Sequence, residues 1–223
     1  MSAPSVGILH TPGTNSHVET AFAFERVGAS ARYVMMASLL DGTDRLDRYD
    51  VVCLPGGFSY GDHLGAGAVA GARLRWTFAD QLAALAGRPV IAICNGFQVA
   101  VRAGLFGDGV TLTTNLNGTF RNLRHQPHVV DPAAGSPWLA GLEGATLRFP
   151  CAHGEGRFLF ESADGWRPAL RYPPGENPDG SAEDIAGIVT ADGLTFGLMD
   201  HPERAPDDDT VLEIFRNGVS AAR

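Results

Sequence analysis

Cys94 closes an apolar, strand-like run, VIAICNGFQ (90–98), that turns at once through Asn95-Gly96. The order Ala92-Ile93-Cys94-Asn95-Gly96 places small residues two positions either side of a thiol. That is the pattern of a nucleophile elbow, in which small neighbours permit a sharp strand-to-helix turn. GFQVAVRAGL then reads as a helix whose N-terminus points at Cys94, and the positive end of its dipole favours thiolate over thiol. Many buried strands run into helices through a small residue, so a packed structural thiol fits the same pattern.

A nucleophilic thiolate needs a base, and the base needs an orienting group. DHPERA (200–205) offers His201 and Glu203 on either side of Pro202, in a short rigid loop. If His201 faces Cys94, it takes the thiol proton and returns it to a leaving amine, while Glu203 fixes the imidazole tautomer. Spacing alone fits an ordinary solvated turn at least as well. Acyl transfer also needs oxyanion donors. PGGFSYGD (55–62) follows a strand, and its glycines let backbone amides approach a ligand, so Gly57 or Phe58 N–H together with Asn95 N–H would make the pair. The stretch lacks a P-loop Lys and the spacing of a dinucleotide fingerprint, so we set aside phosphate binding.

The elements that must hold these residues alternate through the first half. SVGILH (5–10) is a strand, and Ser16 with Glu19 forms a capping-box pattern before the amphipathic HVETAFAFERVG. ARYVMM (31–36) and YDVVCLPGG (49–57) are further strands, LRWTFADQLAALAG (74–87) reads as a helix closed by Gly87, and RPVIAIC (88–94) is the next strand. Alternating strands and helices predict an α/β fold with a doubly wound, mostly parallel sheet and active loops at the strands' carboxyl ends. The second half is β-rich. VTLTTNLNGTF, LRFPCAHGEGRFLF and PALRYPPG look like strands, and Asp192-Gly193 inside IAGIVTADGLTFGLMD (185–200) signals a hairpin. We find no repeat and no linker, so residues 1–223 are read as a single domain with a β-rich C-terminal elaboration.

Composition narrows the function classes. A 223-residue chain with 44% hydrophobic and 19% charged residues suits a globular protein with a sizeable core. Its apolar runs are far shorter than the roughly 20 residues of a membrane span, and its N-terminus lacks a signal-peptide pattern, so we expect a cytoplasmic protein with no membrane partner. The net charge of −8 argues against nucleic acid as a partner. All 17 basic residues are Arg, leaving no Lys as base or Schiff-base former. Cys53, Cys94 and Cys151 are too few and too dispersed for a disulfide framework or a zinc knuckle, and no metal is expected.

Several stretches together resemble one family, the glutaminase subunit of phosphoribosylformylglycinamidine synthase, a class I glutamine amidotransferase. They are PGTN (12–15), LPGGFSYGD (54–62), ICNGFQ (93–98), AHGEGRF (152–158), NPDGS with DIAGI (177–188), and HPERA followed by IFRN (214–217). They span nearly the whole chain, and GGFSYGD with CNGFQ is more specific than a generic elbow. The resemblance implies a flavodoxin-like fold. It also implies that Cys94 attacks the glutamine side-chain amide, His201 acts as general acid/base and Glu203 orients it. By the same likeness Gly57 and Asn95 supply oxyanion amides, and Gln98, His153 and Glu155 shape the glutamine pocket. The implied partners are a large ATP- and Mg-using synthetase subunit that converts formylglycinamide ribonucleotide to the amidine, and a small third subunit; this chain itself needs no cofactor.

The sequence departs from the family pattern in places. Ala92 stands for a usual Gly, Asp200 for a usual Pro and Ser16 for a frequent Cys, all read as neutral, with Ser16 keeping its capping role. In NLNGTFRN (115–122) Thr119 stands where relatives carry Arg, on a strand that could meet the partner. That departure motivates an alternative, a paralogue feeding ammonia to a specialised nucleoside or amide-forming synthetase. A catalytically silent binding subunit is the third reading, and intact Cys94, His201 and Glu203 weigh against it.

Overall fold

The computed structural model describes residues 3–222. Its strands are β1 (Ser5–His10), β2 (Ser30–Met35), β3 (Val51–Leu54), β4 (Val90–Ile93), β5 (Val110–Thr113), β6 (Arg121–Val130), β7 (Thr146–His153), β8 (Arg157–Phe160), β9 (Trp166–Arg171), β10 (Ile185–Thr190) and β11 (Thr195–Leu198). The helices are α1 (His17–Arg26), α2 (Met36–Leu40), α3 (Ala68–Ala72), α4 (Ala79–Ala83), α5 (Asn95–Ala103) and α6 (Asp209–Ala221). Nine strands form one sheet in the order β2-β1-β3-β4-β11-β10-β9-β6-β7, while β5 and β8 pair separately.

The first five strands in that order run parallel and the last four join antiparallel. Every residue of β3 and β4 is buried, as expected for parallel strands covered on both faces. Phe24 of α1 meets Phe215 of α6 edge to face at 5.1 Å, and Phe97 of α5 meets Phe106 at 5.5 Å. These are the apolar stripes that the helical spacing requires. The 185–200 segment forms the expected antiparallel hairpin, and its second strand, β11, inserts parallel to β4. No helix among the described residues is long and apolar enough to cross a membrane.

Three local expectations fail. The 74–87 helix starts earlier, at Ala68, passes through a π turn over 73–77 and breaks at Phe78 (φ −118°, ψ 33°). The wider turn lets Leu74 and Phe78 both reach the core while Trp76 stays outside, and the extra residue costs helical continuity. Ser16 makes no capping bond, because its hydroxyl accepts from Arg204 Nη2 at 2.7 Å and donates to Asn15. Thr119 lies in a turn bonded to Asn115 and Asn117, and β6 begins only at Arg121. The last helix, α6, and the strand β6 carry patterns that the sequence reading left unassigned.

Helix α6 packs so closely that a Cβ on Gly218 would fall 2.0 Å from the Trp138 ring, which is fully buried and anchored by its indole N–H to the Leu194 carbonyl at 2.8 Å. Helix propensity alone favours Gly218→Ala by about 1 kcal/mol. Overpacking opposes it, and we expect a net loss of about 1–3 kcal/mol, read as a lower urea midpoint. An unchanged or raised midpoint would show that this contact is loose.

Candidate active site

Cys94 sits between β4 and α5 with φ 53° and ψ −112°, a conformation that L side chains rarely adopt. Such a residue costs on the order of 1–3 kcal/mol and persists only where its surroundings dictate it. Its N–H donates to the Leu198 carbonyl at 2.8 Å, and its carbonyl accepts from Phe97 and Gln98. A Cβ at position 96 would lie 1.8 Å from the Leu54 carbonyl oxygen, so glycine lets α5 start directly against the tip of β3. The small-residue spacing around the thiol therefore has a packing cause.

The loop after β11 brings His201 and Glu203 to the same end of the sheet. His201 Nδ1 lies 2.7 Å from Glu203 Oε1, and both residues are buried. The His201 N–H is fixed by the Pro150 carbonyl at 2.8 Å. Nε2, the ring's other nitrogen, has no hydrogen-bond partner, and His201 lines the same cleft as Cys94. Burial pulls the imidazole pKa down, but the Glu203 charge and the adjacent Cys94 outweigh it and push it up to about 10. His201 thus carries its proton through neutral pH, and an imidazolium beside a sulfur favours thiolate over thiol.

The PGTN and GGFSY loops zip together beside this pair. Asn15 and Ser16 N–H donate to the Gly56 carbonyl at 3.3 and 3.1 Å, and Tyr60 N–H to Pro12 at 2.7 Å. Phe58 N–H donates to Gly13 at 2.9 Å, which removes it as an oxyanion donor; the Phe58 side chain instead stands half-exposed at the cleft. The amide N–H groups of Gly57 and Asn95 make no hydrogen bond to the described residues. A Cβ at Gly57 would come within 2.7–2.9 Å of the PGTN backbone, so this approach also needs glycine. Asn95 holds the loop in place: its Oδ1 accepts from Ser59 N–H at 2.9 Å and its Nδ2 donates to Asp62 and Gln98.

The cleft holds about 310 Å³ and is lined by Gly57, Phe58, Cys94, Gln98, His153, Glu155 and His201 among others. Gln98 spends its amide on Asn95 and on the Glu155 carbonyl, at 2.9 and 2.8 Å, so it braces the wall. Glu155 Oε2 accepts from Ala66 N–H at 3.3 Å. Asn115 was not among the expected site residues, yet it cradles the His153–Gly156 turn through three bonds of 2.8–3.0 Å. Its type within the NLNG stretch was the available signal. Asp62 also lines the cleft, its pKa raised by burial and by the Glu155 charge.

A second Cys–His–carboxylate group lies close by. Cys151, His153 and Asp200 bring a sulfur, an imidazole nitrogen and a carboxylate oxygen within 4.8 Å of one another. Cys151 is fully buried, and desolvation together with Asp200 pushes its thiol pKa far up, so it is the inert thiol of the two. Metal ligation would need that thiol deprotonated. His153 Nε2 instead bonds Asp200 at 3.0 Å, with Cys151 Sγ at 3.4 Å. Asp200, read from sequence as a neutral loop substitution, is a fully enclosed carboxylate bound by His128 and His153. Burial raises its pKa, and the two imidazoles more than reverse that and hold it well below the usual range.

Comparison with known proteins places these residues in a family context. Residues 3–214 match the family described as the CobB/CobQ-like glutamine amidotransferase domain. Phosphoribosylformylglycinamidine synthase subunit PurQ of Dehalococcoides mccartyi is 35% identical over 259 aligned residues, covering 100% of this chain and 99% of that one. The protein of the same name from Frankia casuarinae is 39% identical over 221 residues, covering 94% and 88%. A chain in the structure of PurLQS from Thermotoga maritima superposes with a TM-score of 0.85 at 34% identity, covering 99% of this chain and all of that one.

Removing the Glu203 charge takes away the largest influence that raises the His201 pKa and leaves burial to lower it. We expect Glu203→Gln to slow alkylation of Cys94 by iodoacetamide at pH 7 by about 10-fold or more, because a neutral imidazole no longer supports the thiolate. With the anionic reagent iodoacetate in place of iodoacetamide, the wild-type rate should fall as pH rises through about 10, where His201 loses the positive charge that attracts the reagent. Equal rates for the two proteins at pH 7 would sink this account of the pair.

Proposed function

The chain belongs to the CobB/CobQ-like glutamine amidotransferase family, among the PurQ subunits of phosphoribosylformylglycinamidine synthase, and from that premise we propose a Cys94-dependent glutaminase. It hydrolyses L-glutamine to glutamate and ammonia. The observation that carries this reading is the meeting of Cys94 and His201 in one cleft, with the imidazole held by a 2.7 Å bond to the Glu203 carboxylate buried behind it.

The Cys94 thiolate attacks the carboxamide carbon, and the oxyanion is received by the Gly57 and Asn95 N–H groups, which are free of other partners. His201 protonates the departing ammonia, leaving a glutamyl thioester on Cys94. Water then adds with His201 as base, and the thiolate leaves as glutamate is released. Gln98, His153 and Glu155 form the wall against which the amino-acid end of glutamine lies. The chemistry balances with glutamine and water alone, so this chain needs no metal or cofactor of its own; ATP and Mg belong to the partner.

The ammonia goes to a large synthetase subunit, assembled with a small third subunit, that converts formylglycinamide ribonucleotide to formylglycinamidine ribonucleotide in purine biosynthesis. The near-complete match to a chain of the PurLQS structure supports that partnership. Ammonia set free in water would be protonated and diluted, so release must be coupled to a partner that covers the cleft. A cytoplasmic location is part of the proposal, in keeping with three cysteines that are all free.

Glutamate release should fall about 10³-fold or more in Cys94→Ala, since the nucleophile acts as a unit with its base. It should rise when the large and small subunits are loaded with ATP and formylglycinamide ribonucleotide, and prior dialysis of this subunit against a chelator should leave it unchanged. Cys94-dependent release that ignores the loaded synthetase would keep the chemistry and remove the pathway.

A further inference from the structure

The wall of the glutamine cleft comes from a strand that the sheet order places far from the triad. Between β11, which leads into His201, and β7, which ends at His153, stand β10, β9 and β6. A flat sheet would hold such strands about 19 Å apart, four strand spacings. Here the backbones touch: His201 N–H bonds the Pro150 carbonyl at 2.8 Å, and the Ala152 carbonyl lies 3.8 Å from Cys94 Sγ. The sheet can curl this far because β6 pairs with β9 only at Val129 and Val130. The remainder of the β6–β7 hairpin peels off as an arm and folds back over the ends of the parallel strands.

One side chain ties that arm to the catalytic loop from both of its strands. Asp200 Oδ2 bonds His128 Nε2 of β6 at 2.7 Å, and Oδ1 bonds His153 Nε2 of β7 at 3.0 Å. All three residues are at most 3% exposed. Phe149 stacks on the His128 ring at 4.1 Å with an interplanar angle of 6°, fixing its plane. Asp179 stands 3.7 Å from the same His153 Nε2 and accepts from the Tyr172 hydroxyl at 2.7 Å. A charged hydrogen bond in so enclosed a place is strong while both partners are present, and removing one partner leaves the other buried and unpaired.

We propose that Asp200 is a positioning residue for glutamine: by joining His128 and His153 it clamps the β6–β7 arm over the triad and sets the Ala152–Glu155 wall. This rests on the glutaminase reading for its kinetic consequence but not for its structural one. Neither His128 nor Asp200 lines the cleft, so their effect on substrate passes through the arm.

The test compares wild type, Asp200→Asn, His128→Gln and the double variant, each assembled with the synthetase subunits. Steady-state glutamine hydrolysis is measured with amide hydrogen exchange across residues 146–156. Each single variant should raise the KM for glutamine about 10-fold while kcat stays within about threefold, the pattern of lost substrate binding. Amide exchange over 146–156 should accelerate in both. The double variant should be no worse than about twofold beyond the weaker single, since the two substitutions break one linkage. Iodoacetamide alkylation of Cys94 should stay within about threefold of wild type in His128→Gln, because the His201–Glu203 pair is untouched. If Asp200→Asn does not fold, His128→Gln carries the test alone. The clamp is overturned if KM is unchanged, if kcat falls at constant KM, or if exchange over 146–156 does not change. Should wild type not hydrolyse glutamine, the glutaminase reading fails and the exchange result still decides the clamp.

Discussion

The left-handed backbone at Cys94 is the constraint on which the rest of the site depends. With φ at 53°, the peptide reverses direction within one residue, ending β4 and starting α5 while lifting the side chain clear of the sheet. That conformation is unfavourable by itself, so the surroundings must enforce it. Enforcement comes from the fully buried strands β3 and β4, the bond from Cys94 N–H to Leu198, and the contact of Gly96 with Leu54. The elbow turns Cys94 toward the cleft, and Cys53 and Cys151 are enclosed in the interior.

Around that elbow the molecule collects charges that burial alone would suppress. His201 is driven toward its neutral form by desolvation and returned to the cationic form by Glu203 and Cys94. Asp200 is driven toward its protonated form by the same effect and held as a carboxylate by His128 and His153. The two arrangements share one physics, in which a low-dielectric interior strengthens a paired charge and penalises an unpaired one. They stand in different places: the His201–Glu203 pair lies beside Cys94, and the array at Asp200 joins β6 and β7 to the loop after β11.

Backbone hydrogen bonds complete what the side chains begin. Backbone bonds from Asn15, Ser16, Phe58 and Tyr60 join the PGTN and GGFSY loops; Phe58 N–H is consumed, while the Gly57 and Asn95 N–H groups stay free. Asn95 and Gln98 then link the elbow helix to both rims of the cleft, and Asn115 pins the turn after β7. Residues distant in sequence thus meet around a cavity of about 310 Å³.

What the chain declares without its fold is whatever depends on neighbours in sequence. Strand periodicity, the Asp192-Gly193 hairpin, the elbow spacing at Cys94 and the His201-Pro202-Glu203 turn are local, and they offered Cys94, His201 and Glu203 as candidates that a packed thiol and a solvated turn fitted as well; the family resemblance singled them out. The structure alone decided what depends on distant partners. Ser16 has a capping sequence but meets Arg204, 188 positions away, and a side-chain bond of 2.7 Å replaces the cap. Phe58 loses its amide to a loop from the first strand. Asp200 looked like a tolerated loop residue because nothing near it in sequence shows that β6 and β7 fold back to place His128 and His153 on either side of it. Local patterns report propensity, whereas the partner of a buried polar group is set by which strands the sheet's curvature brings together.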